Sequence, residues 1–411
     1  MASHGPPGPL TGRYLGPLVV DIPPDTDLPI HVFIREGQIT EVDRLLTQDP
    51  QLVNSRDGSG LTPLMVAAEH NTSPSIARIL LKSGANVTLQ DNDGITAAMY
   101  ACRDHDMHIS VLEAILENHE PHLCLSFADK WGWTAVHYAV KGCSTKCLRL
   151  LYTVLQNLDQ TPPHDYDYVN NLKDSIGRTP LIVAAKYLMG SDIAIPMFLL
   201  HMGANVNVQD HNGMTAAMHA CQEQDIHLEV LKAILPRLPG THDTYSLDIQ
   251  DTTGWTALHH AVFANSEECL RYMLIYLKRK ILIKKMKKKI INSWDSSGST
   301  ALILAAKYHS TSYIARALLE HSADINVKDN FGMTAIMHAC QENDKRQSVL
   351  DAILDTKRTH SEYLDLDSRD RAGKTALDHA EDGGSRSCYR NLWLSGARNR
   401  KNAEPRFAST V

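Results

Sequence analysis

Apolar residues along this chain come in nine short runs, each opened by a threonine and each preceded by a polar turn. The runs read TPLMVAA, TAAMYAC, TAVHYAV, TPLIVAA, TAAMHAC, TALHHAV, TALILAA, TAIMHAC and TALDHAE. Ahead of every one stands Asp-x-x-Gly-x-Thr, with its aspartate at 57, 91, 129, 174, 210, 251, 295, 329 and 370. Asp and Gly are turn formers, and Gly accepts a positive φ without a Cβ clash. The threonine is placed to cap a helix, with Pro63 and Pro180 at the first helical position, where a missing N–H costs nothing. Small pairs such as Ala67-Ala68 and Ala184-Ala185 suit a short helix packed closely on both sides. A second apolar helix follows, as in IARILLKSGANV (76–87) and IARALLEHSADI (314–325). The unit is therefore turn, helix, helix. It cannot bury its apolar face alone, and stacked neighbours would bury it.

A longer period lies above the short one. Asp91, Asp210 and Asp329 follow one another at 119 residues, and Asp129, Asp251 and Asp370 at 122 and 119. The units fall into three types in the order A-B-C, three times over. Type A carries the paired alanines, type B ends its run in Ala-Cys, and type C has Trp or Lys before the threonine. Duplication of a three-unit block is the simplest history.

LTPLMVAA with LLKSGANV, and RTPLIVAA with LLHMGANVN, resemble the ankyrin repeat, whose consensus carries Thr-Pro-Leu-His-x-Ala-Ala and later Leu-Leu-x-x-Gly-Ala-x-x-Asn. The resemblance covers nine units plus a divergent cap at 28–56, roughly residues 28–398. It implies an all-α ankyrin-repeat solenoid of about ten repeats, with ten helix pairs in one curved array and no disulfide. The consensus histidine is present only at His137 and His259. Met65, Met99, Met218, Met337, Ile182, Ile303 and Asp378 stand there elsewhere, so inter-repeat hydrogen bonding should be less regular.

Composition narrows the function classes. With 43% hydrophobic and 21% charged residues, the chain reads as a soluble globular protein. A formal charge of −6 speaks against general nucleic-acid binding, and no apolar run reaches the roughly 18 residues of a membrane span. Residues 1–27, rich in Pro and Gly, read as a disordered leader without the pattern of a secretory signal. Eight cysteines in such a chain imply free thiols in a reducing compartment, the cytosol with access to the nucleus.

One stretch looks reactive: DNFGMTAIMHACQEND, 329–344, sets His338 and Cys340 among carboxylates and carboxamides. Yet Cys102, Cys221 and Cys340 each occupy the second small position of a repeated helix, where a thiol is a small buried hydrophobe. Asp106, Asp225 and Asp344 precede second helices and read as their N-caps. Cys143 and Cys147 beside His137 make a single C-x-x-x-C without a second pair, a weak zinc pattern. No phosphate loop, His-Glu-x-x-His or nucleophile elbow is present. The chain is read as non-enzymatic, with no cofactor and no metal.

Candidate partner-binding residues lie where a solenoid leaves surface over. The position after the consensus histidine, which borders the concave groove in ankyrin-like proteins, carries Tyr100, Tyr138, His219, His260 and His338. The hairpin tips carry Trp131, Trp133, Trp255 and Phe331, and aromatic residues suit interface anchors; Trp131 and Phe331 are the candidates, since Trp133 and Trp255 recur by type. A basic insert at 277–292 holds Lys278, Arg279, Lys280, Lys284, Lys285, Lys287, Lys288 and Lys289. Without those eight cations the charge would be −14, so the basicity is local. Leu277, Ile281, Met286 and Ile290 are spaced to form an apolar stripe on an extended second helix.

The segment 399–411 reads as a flexible tail. Its last residues, Ser409, Thr410 and Val411, resemble a ligand of PDZ domains, which bind a terminal carboxylate by strand addition. The leading reading is a monomeric protein-interaction adaptor using groove and tips. A nuclear regulator using the lysine insert for import or nucleic-acid contact is the alternative. A ubiquitin-ligase substrate receptor is a third, weakened because the tail shows no SOCS box.

Overall fold

Threonine caps and apolar runs do build the helices they announce. A computed structural model describes residues 28–70, 74–104, 106–117, 127–158, 171–188, 193–235, 247–279, 284–309, 311–342, 344–359 and 364–397. The leader 1–27, Lys280, and the tail with Ser409, Thr410 and Val411 lie outside the described residues. Within them the chain is all-α, with 21 α-helices and one isolated β-bridge, Trp294 to Thr300. Two helices, Pro29–Arg35 and Ile39–Gln48, form the amino-terminal cap. Nine helix pairs follow, numbered here as units one to nine from Asp57 to Asp370, and one extra helix, Lys284–Ile291, leads into unit seven. No described helix is long and apolar enough to cross a membrane.

The first helices pack one on the next along the stack, and second helices form a parallel outer row. First helices are short because they are crossed on both sides. Pro63–Glu69 and Pro180–Tyr187 are buried nearly all round, from Leu64 to Ala68 and from Leu181 to Ala185. A helix apolar on every face belongs inside a core, and here the core is made by the neighbouring units. Burying each Leu or Ile contributes about 1.5–3 kcal/mol, which no unit could collect alone. Second helices keep one wet face. In Tyr313–Glu320, Ile314, Ala315 and Leu318 are buried while Glu320 is exposed.

Junctions are stitched through the hairpin tips. At each of the eight, a backbone N–H of one tip donates to a carbonyl of the preceding tip, as Lys130 to Asp93 (2.9 Å), Thr252 to Asn212 (3.0 Å) and Arg371 to Phe331 (2.9 Å). The turn glycines make this approach possible, because the next tip's backbone lies where a side chain would start.

The consensus-histidine position behaves as its irregular chemistry suggests. In units three and six, His137 and His259 close the helix start through Nδ1, 3.3 and 3.2 Å from the Thr134 and Thr256 amides. Their Nε2 atoms reach Arg178 O and Ser299 O of the following unit, 3.2 Å in each case. At Met65, Met99 and Met218 the sulfur instead takes the threonine N–H, as Met65 does at 3.3 Å, and no bond from it crosses to the next unit. Bonding is thus intermittent at this column while it is continuous at the tips.

Those two histidines make the array acid-sensitive. Burial pushes both down to about 4, outweighing the nearby carboxylates Asp174 and Asp295. The native rings are neutral, so the unfolded chain takes up protons first as pH falls below about 6.5. Stability from this source is complete above that pH and is lost on descending toward 4. The double variant His137→Met, His259→Met adopts the capping used in units one, two and five. It should lose about 2–4 kcal/mol less than the parent between pH 7 and 5, as measured by chemical denaturation at the two pH values. Equal losses would place the acid sensitivity elsewhere.

Candidate interaction surface

Each tip aspartate uses its two oxygens differently. Oδ1 accepts the turn's own amides, as Asp129 does from Trp131 and Trp133 at 2.8 and 2.7 Å. Oδ2 turns to the side chain nine residues on. Tyr100 donates to Asp91 and Tyr138 to Asp129, both at 2.7 Å. His219, His260 and His338 place Nε2 2.8, 2.9 and 2.8 Å from Asp210, Asp251 and Asp329. All five of these side chains are more than nine-tenths buried. Acceptance from His219 and His338 holds the carboxyls of Asp210 and Asp329 below the usual carboxylate range, against the upward push of their burial.

In type A units the residue nine on is Val66, Val183 or Leu304, which cannot donate. The carboxylate there is served from the unit before. Trp133 Nε1 donates to Asp174 and Trp255 Nε1 to Asp295, both at 3.1 Å. Arg178 completes the first site with Nε and a guanidinium N–H, each 2.7 Å from Asp174 Oδ2. Trp133 and Trp255 are therefore stitches between type C and type A units.

The other two tip aromatics differ in exposure. Phe331 is 66% exposed, and only its backbone serves the stack. Trp131 is half-buried, with the Lys130 ammonium 4.4 Å from its ring centroid. Sequence reasoning missed a third: Trp294 is 65% exposed, one residue ahead of its tip aspartate. Seven of the nine residues in that column are Arg, Lys or Gln, so a lone tryptophan there was a legible departure.

The reactive-looking cysteines are interior. Cys102, Cys221 and Cys340 end their first helices fully buried, each beside a thiol of the next unit: Cys147, Cys269 and Cys388. The thiol–thiol hydrogen bond, with burial, pushes Cys102 and Cys340 up, which keeps them protonated and un-nucleophilic. Every described cysteine is a thiol, and no group of three metal-ligating side chains occurs among the described residues.

Asp106, Asp225 and Asp344 require a correction. They cap no helix of their own unit, since second helices start later, at Ile109 and Leu228. They serve the following unit. Asp225 accepts from the Glu268 and Cys269 amides at 3.2 and 2.9 Å, and Asp344 from the Ser387 and Cys388 amides at 3.1 and 3.2 Å. Asp106 accepts from the Ser144 hydroxyl at 2.6 Å. Asp225 and Asp344 reach across with positive φ, 53° and 56°, a conformation Asp tolerates better than most residues.

The basic insert is helical over Glu267–Arg279 and again over Lys284–Ile291. Leu277 and Ile290 are buried, Ile281 lies outside the described residues, and Lys278, Lys288 and Lys289 are exposed. Lys289 pairs with Asp248 at 2.8 Å and Lys288 with Asp324 at 3.6 Å.

Comparison with known proteins agrees with this geometry. The family model described as "Ankyrin repeats (3 copies)" matches residues 18–91, 71–162, 98–210, 190–285, 245–329 and 276–362. The chain is 32% identical over 200 residues to the B-cell lymphoma 3 protein of Homo sapiens, covering 48% of this chain and 40% of that one. It is 23% identical to the putative ankyrin repeat protein L371 of Acanthamoeba polyphaga mimivirus, covering 74% and 39%. Identity is 24% to the transient receptor potential cation channel subfamily A member 1 of Homo sapiens, covering 74% and 25%. The chain thus spans well under half the length of these relatives. Among solved structures, the ankyrin repeat domain of Bcl-3 is similar, with a TM-score of 0.49 and 23% identity, covering 64% of this chain and 99% of that one.

Proposed function

The chain belongs to the ankyrin-repeat family, whose members generally mediate protein–protein interactions, and we propose that it is a non-enzymatic scaffold binding a partner through its groove and tips. One observation carries the reading: the tip backbone of Phe331 is consumed by stacking while its ring is left in water. A packing residue would be covered by the next unit. An exposed aromatic on a rigid tip loses little entropy when a partner covers it. Trp131 has the same place in unit three, and the row from Tyr100 to His338 lines the adjoining floor. The chain works as a monomer in the reducing cytosol, with the exposed lysines of the insert giving access to the nucleus.

Trp131→Ala and Phe331→Ala test it. Each should weaken capture of the partner recovered by proximity labelling by about tenfold or more, with the melting temperature within about 2 °C of the parent. Substitutions that lower the melting temperature and leave capture intact would make these rings packing residues and end the reading.

A further inference from the structure

The threefold internal repeat supplies its own control. Wherever one junction carries chemistry that its copies lack, stacking does not require that chemistry. The junction between units three and four is such a place. Lys141 ends the first helix of unit three with its ammonium 5.3 Å from the Trp133 ring centroid. Arg178 of unit four lies 5.7 Å from that ring and donates to the Tyr187 hydroxyl at 2.7 Å. Lys186 sits 5.7 Å from the Tyr187 ring. Arg103 of unit two lies against the end of the same helix, where a Cβ added at Gly142 would stand 2.5 Å from Arg103 O.

Carboxylates balance this cluster only in part. Asp174 is buried and taken by Arg178 and Trp133, and Glu69 lies 3.9 Å from Arg103. Among the described residues no carboxylate lies within 4.0 Å of the Lys141 or Lys186 ammonium. Lys141 is exposed, while Arg103 and Lys186 are half-buried.

At the junction of units six and seven the same slots hold Gln222, Phe263 and Ser299. Phe263 stacks against Trp255 and Tyr308 at 5.0 and 5.4 Å, so the copy is closed by aromatic contact. In unit nine the pair eight residues apart is Lys374 with Asp382, 2.7 Å, a self-satisfied ion pair. Three chemistries fit one geometry. Lys307 keeps the place of Lys186, 5.2 Å from the Tyr308 ring, so what sets the first junction apart is the unmatched Lys141 with Arg178 beside it.

We propose that the face formed by Arg103, Lys141 and Lys186 around Trp133 and Tyr187 binds an acidic peptide segment of the partner protein. The inference rests on the scaffold reading and names the partner's chemistry. Ammonium and guanidinium groups pair with Glu or Asp carboxylates, and the two rings cover the peptide's apolar stems. Arg178 is the positioning residue, since it holds both Tyr187 and Asp174. A long polyanion such as nucleic acid is disfavoured by the chain's net charge of −6, whereas a short acidic segment meets only the local field.

The test transplants one junction onto another. Arg103→Gln, Lys141→Phe and Arg178→Ser together give units two to four the residues that units five to seven already carry. The probe is a fluorescein-labelled octaglutamate peptide, titrated into the full chain by fluorescence anisotropy, with an eight-nucleotide oligo-dT as the competing polyanion. The graft should weaken peptide binding by at least about tenfold. Because losing Arg178 beside buried Asp174 also lowers the melting temperature, Arg103→Gln with Lys141→Phe is the variant that should lose affinity with the melting temperature near the parent's. Lys141→Phe alone, at an exposed site, should weaken it in the same direction. The reverse graft, Gln222→Arg, Phe263→Lys and Ser299→Arg, should raise the stoichiometry from one peptide to two.

Peptide affinity unchanged by the graft, affinity lost instead on replacing Lys284, Lys285 and Lys287 by Gln, or tighter binding of oligo-dT than of peptide would each overturn the proposal. The scaffold reading falls separately. If the graft still captures the partner while Trp131→Ala and Phe331→Ala do not, the acidic site is wrong and the scaffold stands.

Discussion

Replacing Gly132 by alanine should lower the stability of the array by about 3–5 kcal/mol, whereas Gly373→Ala should cost only about 1–2 kcal/mol. Both glycines have positive φ, 78° and 73°, so both substitutions carry the left-handed penalty of a Cβ. They differ in what that carbon meets. At Gly132 it would lie 2.8 Å from Ser175 N and 2.9 Å from Asp174 Cα, backbone atoms that cannot swing aside. At Gly373, in the last tip, nothing lies within 4 Å. The difference between the two variants therefore isolates the close approach of tips from the turn's own strain. Urea denaturation of both, followed by far-UV circular dichroism, measures it. Equal losses would mean that the stack opens to admit a methyl group, and that tip spacing is soft.

Asp174→Ala should be nearly as damaging, by about 3–5 kcal/mol. The side chain is fully buried and holds the Ile176 and Arg178 amides, the Trp133 indole and the Arg178 guanidinium. Removing it leaves a buried cation and a buried indole N–H without an acceptor. Adding Arg178→Ser, the residue found at the equivalent place in unit seven, removes the orphaned charge and should recover about half of the loss. Thermal melts of the single and double variants decide this. A single variant as stable as its parent would show that water reaches the junction and solvates Arg178.

What was legible in the sequence follows from how local each feature is. The turn glycines, the threonine caps and Pro63 act within four or five residues, so pattern and chemistry coincide there. The proposed tip anchors Trp131 and Phe331 were separable from Trp133 and Trp255 because the latter pair recurs with type C, as a packing role requires. The partners of Asp225 lie 43 and 44 residues away in the next unit, and local pattern assigned its cap to the wrong helix. The bond between Tyr100 and Asp91 is a similar case, since nine residues is a turn plus a helix, a distance that no periodicity marks. The column nevertheless held a clue. Where its donor is missing, at Val183 and Leu304, a tryptophan recurs in the preceding unit.

The caps that Asp106, Asp225 and Asp344 lend to the following unit also give the array a grain. Every type C second helix begins beside a side chain supplied by type B, which couples B to C as the Trp133 and Trp255 indoles couple C to A. A nick or a recombination breakpoint between C and A divides the chain without parting any of these three pairs. One between B and C strips a helix of its starting acceptor. Amide exchange at the start of a type C second helix should accordingly quicken when the type B aspartate before it is removed.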